Sequence, residues 1–170
     1  MADIFVISDT HFNHEAILTF KDYAGKPPRT FDSVEQMNEC MLDNWNDTVG
    51  PNDTVIHCGD VLFGMDKVEW LETNFAKLPG KKRLVLGNHD NVKHLAPFFK
   101  DIQLWIDSVP GIIFTHTPLH PTTLAEKHRW NGQMLNAHGH IHSNPSPEGP
   151  YKCVCVEQIN FTPISVEELV

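Results

Sequence analysis

A chain of 170 residues with a 41% hydrophobic fraction has room for one domain with a true apolar core, expected to span residues 1–170. Its formal net charge of -9 with histidine neutral, and its pI of about 5.6, argue against a surface that holds extended DNA or RNA through phosphate contacts. No apolar stretch is long enough to span a membrane, and Met1-Ala2-Asp3 leads into an apolar run without a basic or cleavage region, so a cytoplasmic protein is expected.

The first apolar run, Ile4-Phe5-Val6-Ile7, reads as a buried strand. Asn13 is placed to cap a helix over about residues 14–20. Gly25-Lys26-Pro27-Pro28 predicts a surface loop. Ser33 and Gln36 have the spacing of a capping box, and Val34, Met37, Met41 and Trp45 recur at helical spacing after it. Beyond the turn Pro51-Asn52-Asp53, residues 54–58 read as a second strand. Val68, Leu71, Phe75 and Leu78 mark the inner face of another helix, stopped by Pro79-Gly80. Residues 82–86 predict a third strand, and a short helix over about 92–98 is interrupted by Pro97. Further strands are expected at 102–106, 112–115, 134–137 and 151–157, with a last one near 161–164, and 116–133 reads as a long polar loop. Early alternation of strand and helix implies parallel pairing with crossover helices, while the later half is richer in strands. The expected class is α/β, two stacked sheets flanked by helices. The four cysteines, Cys40, Cys58, Cys153 and Cys155, have the spacing of neither a zinc ribbon nor a disulfide framework and read as small buried hydrophobes in a reducing compartment.

Five polar blocks follow apolar runs: Ser8-Asp9-Thr10-His11, Gly59-Asp60, Gly87-Asn88-His89-Asp90, Thr115-His116 and Gly139-His140-Ile141-His142. Four of them fall where open α/β sheets bind ligands, beyond the carboxyl ends of strands. Singly, Asp9 reads equally well as a helix cap, Asp60 as a turn residue and Gly87-Asn88 as turn chemistry. Those readings do not explain why five of the 11 histidines, His11, His89, His116, His140 and His142, recur in these blocks. Imidazole and carboxylate together suit Mn, Fe, Co, Ni or Zn better than Ca. Asp9, His11, Asp60, Asn88, His116, His140 and His142 are too many for one tetrahedral ion and about right for two ions that share a carboxylate.

In this order the blocks resemble the calcineurin-like metallophosphoesterase superfamily, whose pattern is Asp-x-His, Gly-Asp, Gly-Asn-His-Asp or Glu, His, and Gly-His-x-His. The resemblance runs from Ser8 to His142 and implies a four-layer αββα sandwich of two mixed β-sheets flanked by helices. It further implies that Asp9, His11 and His142 hold one divalent ion, that Asn88, His116 and His140 hold the other, and that Asp60 bridges them, with Mn favoured over Fe, Ni, Co, Zn or Mg. In that scheme hydroxide shared by the ions attacks phosphorus in line, His89 protonates the leaving oxygen or stabilises phosphoryl charge with Asp60 as its carboxylate helper, and Asn88 and His89 contact the phosphoryl group. Thr115 stands where many relatives have glycine, which leaves the ligand count intact.

His14 extends the first block as in a subgroup of small relatives, and it can touch substrate phosphate or pack at the helix start. In the loop 116–133, Arg129 can hold a phosphate and Trp130 can stack on a base, or both serve as an exposed arginine and a packing side chain. His57 and His138 read as structural residues. The expected activity is that of a metal-dependent phosphoric ester hydrolase, a phosphodiesterase on a small nucleotide-like phosphoester, because Asp90 stands where the phosphoprotein phosphatases of the superfamily usually have glutamate. A phosphomonoesterase or protein phosphatase is the alternative, and a non-catalytic scaffold of the same fold is disfavoured by the intact site.

Overall fold

The structure, a computed structural model, describes residues 2–64, 67–132 and 134–170, with the backbone alone for 67 and 127–131. Among the described residues nine strands follow in chain order: β1 (Ile4–Ile7), β2 (Thr54–His57), β3 (Lys81–Val85), β4 (Asp101–Gln103), β5 (Trp105–Val109), β6 (Ile112–Thr115), β7 (Leu135–His138), β8 (Tyr151–Cys153) and β9 (Ile164–Ser165). Among them run α1 (Val34–Thr48), α2 (Lys67–Thr73), α3 (Val92–Leu95) and α4 (Pro121–Asn131). One sheet has the order β4-β3-β2-β1-β9, parallel except for β9; the other has the order β5-β6-β7-β8, parallel except for β5.

Period-two alternation builds the layers. Val6, Ile56 and Val85 face the space between the sheets, where they meet Ile112, Phe114 and Ala137. Their neighbours Ile7, Val55 and Leu84 face outward beneath Met37, Met41 and Trp45 of α1 and Leu71 of α2. On the far side, Ile113 and Met134 pack with Leu124 of α4. The result is the αββα sandwich. Trp45 is fully buried and donates its indole N–H to the Pro79 carbonyl at 3.1 Å, so its polar edge is satisfied inside the core. Truncation there, by Trp45→Ala, would cost about 3–5 kcal/mol.

Several elements differ from the sequence reading. Residues 15–19 form a 3-10 helix with His14 at its N-cap position, and Asn13 is instead clasped to Asn38 of α1 by two hydrogen bonds of 3.1 and 2.6 Å. Ser33 caps α1, but the Gln36 side chain accepts from the Asp32 N–H, so the box is only half closed. The helix read over 68–78 ends at Thr73 and resumes as a 3-10 turn, and Val68 stays exposed. The strand expected over 102–106 is two strands in different sheets, divided at Leu104, because β3 and β6 each offer a free edge to the same apolar run. The strand at 151 stops at Cys153, and 156–158 form a 3-10 turn. The polar stretch after His116 contains α4, whose start carries a Pro121 in its first turn and a His120 side chain that accepts from the Thr122 N–H.

Candidate metal centre

Every one of the five blocks lies just beyond a strand: Asp9 and His11 after β1, Asp60 after β2, Asn88 after β3, His116 after β6, and His140 and His142 after β7. The backbone is bent to turn these side chains inward. Asp9, His11, Asp60, His140 and His142 all have positive φ, at 56°, 45°, 56°, 72° and 52°. Each such residue costs about 1–2 kcal/mol relative to a right-handed conformation. Strain of this kind concentrated in one spot is the mark of a functional constraint rather than of folding economy. Two glycines make room for the carboxylates. A Cβ on Gly87 would run into the Asp60 carboxylate, and one on Gly139 into the Asp9 carboxylate and the Ser8 hydroxyl.

The turns gather two groups of ligand atoms, Asp9-His11-His142 and Asp60-His116-His140, each within 4.8 Å. Nε2 of His11 lies 3.7 Å from Asp9 Oδ1, and Nε2 of His142 lies 3.8 Å from the same oxygen. In the other group, Asn88 Oδ1 stands 2.8 Å from His116 Nε2 and 3.0 Å from His140 Nδ1. Asp60 Oδ2 sits between the groups, 3.6 Å from His11 Nε2 and 3.5 Å from His116 Nε2. Asp9 Oδ1 and both ring nitrogens of His11 are buried without any hydrogen-bond partner. Buried polar atoms left this way are costly unless a ligand satisfies them. The donor set fits divalent cations: carboxylate oxygens, one amide oxygen and imidazole nitrogens, with lone pairs converging from both sides of Asp60.

Supporting contacts set the tautomers. His116 Nδ1 is 2.8 Å from the Cys58 carbonyl, which only accepts, so Nδ1 carries the proton and Nε2 offers its lone pair to the site. His142 Nδ1 lies 2.9 Å from Glu157 Oε1, which likewise frees its Nε2. Glu157 is paired in turn with Arg29 at 2.8 Å, both side chains being almost fully buried. The Arg29 guanidinium also donates to the carbonyls of Thr10 at 2.9 Å and Asp9 at 2.6 Å, thereby pinning the strained first turn. Asp90 plays the matching part on the other side. Its carboxylate accepts from the backbone N–H groups of Asp60, Val61 and Gly87 at 2.9, 2.9 and 2.8 Å, so the second and third blocks are tied together.

Electrostatics follow from these contacts. Burial disfavours the Asp9 charge, but the His11 ring 3.7 Å away, the nearby His116 and His142 and the hydrogen bond from the Ser8 hydroxyl outweigh it and hold its carboxyl well below the usual carboxylate range. For His142, burial lowers the pKa, but the Glu157 hydrogen bond and charge win and the net shift is upward. Burial, reinforced by His116, lowers His140. His14 is lowered to about 4, by burial first and then by His11, so it is neutral at ordinary pH.

His89 is exposed at the rim, its ring 5.7 Å from that of His11 and 5.6 Å from that of Phe63. Asp60 reaches His89 through the backbone, where Oδ1 accepts the His89 N–H at 2.9 Å; that contact shapes the turn and does not make Asp60 a partner of the imidazole. His14 stacks on Phe63 at 4.0 Å and lies 5.4 Å from His11, beside the ligands rather than among them. The Arg129 and Trp130 side chains lie outside the described residues. His57 and His138 are fully buried. His57 hydrogen-bonds Thr10 Oγ1 at 3.0 Å, and Thr10 Oγ1 donates to the Val61 carbonyl at 2.8 Å, which steadies the first two blocks from beneath. Sequence reasoning missed Arg29 and Glu157. Nothing local marks either one, because their partnership spans 128 positions. Asp90 was visible as a motif letter, but not as the tie between two loops.

The chain has recognisable relatives among known proteins. The sequence profile of the calcineurin-like phosphoesterase family matches residues 2–168. The uncharacterized protein MJ1445 of Methanocaldococcus jannaschii is 30% identical over 177 residues, which covers 100% of this chain and 90% of that protein. The gene 66 protein of Mycobacterium phage L5 is 32% identical over 95 residues, covering 53% of this chain and 41% of the phage protein. Among solved structures, a protein of unknown function from Aquifex aeolicus, AQ665, superimposes with a TM-score of 0.77 at 29% identity, covering 99% of this chain and 98% of that one. An archaeal phosphodiesterase superimposes with a TM-score of 0.50 at 19% identity, covering 90% and 82%, a likeness of fold.

Proposed function

The chain belongs to the calcineurin-like phosphoesterase family, and from that premise we propose that it is a dinuclear metal-dependent phosphodiesterase acting on a small phosphoester. The observation that carries this reading is Asp60 Oδ2 standing between two groups of inward-aimed ligand atoms, beside buried acceptors that no protein group satisfies. Asp9, His11 and His142 would hold one ion, and Asn88, His116 and His140 the other, with Asp60 shared. When bound, two divalent ions would offset the phosphoryl charge and supply a hydroxide nucleophile near neutral pH.

The protein's own groups do the rest. Cys58 and Glu157 engage the Nδ1 atoms of His116 and His142, which turns the Nε2 atom of each toward the ions. His89, exposed at the rim and reachable by substrate, delivers a proton to the leaving oxygen as the P–O bond breaks. Asn88 and His89 contact the phosphoryl group from the open side. His14, neutral and stacked on Phe63, lines that same side and is assigned a packing role toward substrate rather than a ligand role. Four free cysteines fit a reducing, cytoplasmic setting. No helix among the described residues is long and apolar enough to cross a membrane. The identity of the ions is set by availability as much as by ligand type, and Mn is the first to try.

The test is hydrolysis of bis-p-nitrophenyl phosphate against p-nitrophenyl phosphate, with Mn, Ni, Mg and Zn in turn. Diester cleavage that is faster, abolished by chelation and restored by Mn is the expected result. Faster monoester cleavage would replace the assignment by a phosphatase, and activity that survives exhaustive chelation would reject the metal mechanism.

A further inference from the structure

An apolar groove of about 640 Å³ opens directly onto the second group of ligand atoms, where Asn88 and His116 form its mouth. Its walls are Leu86, Leu104, Trp105, Ile113 and Leu119. Resting on the phosphodiesterase reading above, we propose that this groove binds the part of the substrate that stays on phosphorus, and that this part is a flat, uncharged aromatic group of nucleobase type stacked on Trp105.

Exposure is the first argument. Leu104 is 68% exposed and Trp105 50% exposed, side by side where the chain passes from one sheet to the other. Large apolar side chains left in water together mark a contact surface when they form a patch beside a site. Chemistry is the second. In a chain with 13 basic and 22 acidic residues, none of the described residues that line the groove is Asp, Glu, Lys or Arg. A charged substituent, such as a sugar phosphate or a polyphosphate, would lose hydration there and meet no formal charge among the described lining residues. Thr117 and Thr123 also line the groove, and their hydroxyls suit the polar edge of a base better than they suit a plain hydrocarbon tail. Size is the third argument, because the volume lies within the range of small-molecule pockets and accommodates a nucleoside.

Placement on the reaction coordinate comes from His89. The groove approaches the centre past Asn88 and His116, whereas the His89 ring sits on the other flank against His11 and Phe63. A leaving group that takes its proton from His89 departs on that flank. The substituent in the groove is then the one that remains esterified to phosphate, and the product retained there is a nucleoside monophosphate.

The experiment uses three diesters with the same p-nitrophenolate leaving group: the p-nitrophenyl ester of thymidine 5'-phosphate, methyl p-nitrophenyl phosphate and hexyl p-nitrophenyl phosphate. The metal-loaded protein is expected to show a kcat/KM at least about tenfold higher for the thymidine ester than for the methyl ester, mainly through KM, given what base stacking on an aromatic contributes. Trp105→Ala should bring that ratio to near 1, Trp105→Phe should restore most of it, and Val68→Ser, an exposed apolar position on α2, should leave it as in the parent protein. A ratio near 1 in the parent, or one that survives Trp105→Ala, overturns the proposal. A hexyl ester favoured as strongly as the thymidine ester overturns the aromatic assignment, and a dimer in sedimentation that Trp105→Ala dissociates overturns it in favour of a second copy of the chain. Thymidine titrated into the metal-loaded protein separates this inference from the one it rests on. Saturable binding lost in Trp105→Ala, without turnover of any ester, retains the groove and rejects the phosphodiesterase; turnover without binding of thymidine rejects the groove.

Discussion

The two halves of the candidate centre are held by different means. Asp9, His11 and His142 are braced by side chains remote in sequence: Arg29 grips the carbonyls of Asp9 and Thr10 and pairs with Glu157, which orients His142. Asp60, His116 and Asn88 are braced largely by backbone, through the Cys58 carbonyl, the His89 N–H and the amide groups that Asp90 collects. The first half is also the deeper, with Asp9 and His11 almost inaccessible, while Asn88 and His140 stand at the surface. A half built on a buried ion pair is rigid but depends on that pair being intact.

Removing what the halves share should have the largest effect. Asp60→Ala is expected to lose turnover by far more than the roughly 10–100-fold typical of a supporting residue, and to lower bound metal by elemental analysis. Near-normal turnover would show that the halves do not communicate through Asp60. Next in size is Arg29→Met, which leaves buried Glu157 with His142 as its remaining partner and should cost about 3 kcal/mol in denaturant unfolding; a loss under 1 kcal/mol would mean that the first half is not carried by the pair.

Glu157→Gln and Asp90→Asn each strike one half. Each should weaken metal uptake by about 10–100-fold, the former at the ion beside Asp9 and the latter at the ion beside Asn88. Two-site titration with Mn would distinguish them, and identical effects on both sites would contradict the division. The smallest effect concerns the histidine beneath both halves. Burial holds His57 at about 3, below its ordinary 6.5, so the folded protein keeps it neutral while the unfolded chain takes up a proton as pH falls. Its contribution is complete above about pH 6.5 and is lost progressively down to about pH 3, reaching about 2 kcal/mol at pH 5. His57→Gln should remove that share of the acid sensitivity between pH 7 and pH 5, seen as a shallower fall in unfolding free energy.

Much of this was legible in the chain. Short apolar runs ending in Asp9, Asp60 and Asn88 placed β1, β2 and β3 within a residue of their observed positions, because a buried strand must be apolar and the following turn must be polar. The helix face of Met37, Met41 and Trp45 was read for the same reason. Less legible were 102–106, where one apolar run serves two sheets, and α4, whose polar composition hides a helix that buries Leu124 against Ile113 and Met134.

Residue type and local order, then, determined which atoms can bind a cation and roughly where strands deliver them, since these depend on side-chain chemistry and short-range periodicity. Only the tertiary structure decided the distances at which the other six residues stand from Asp60, that Arg29 and Glu157 stand behind His142, and that Leu104 and Trp105 open a groove beside Asn88. Those relations join positions tens to more than a hundred residues apart, and through-space distance between such positions is fixed by how the sheets pack, not by any spacing along the chain.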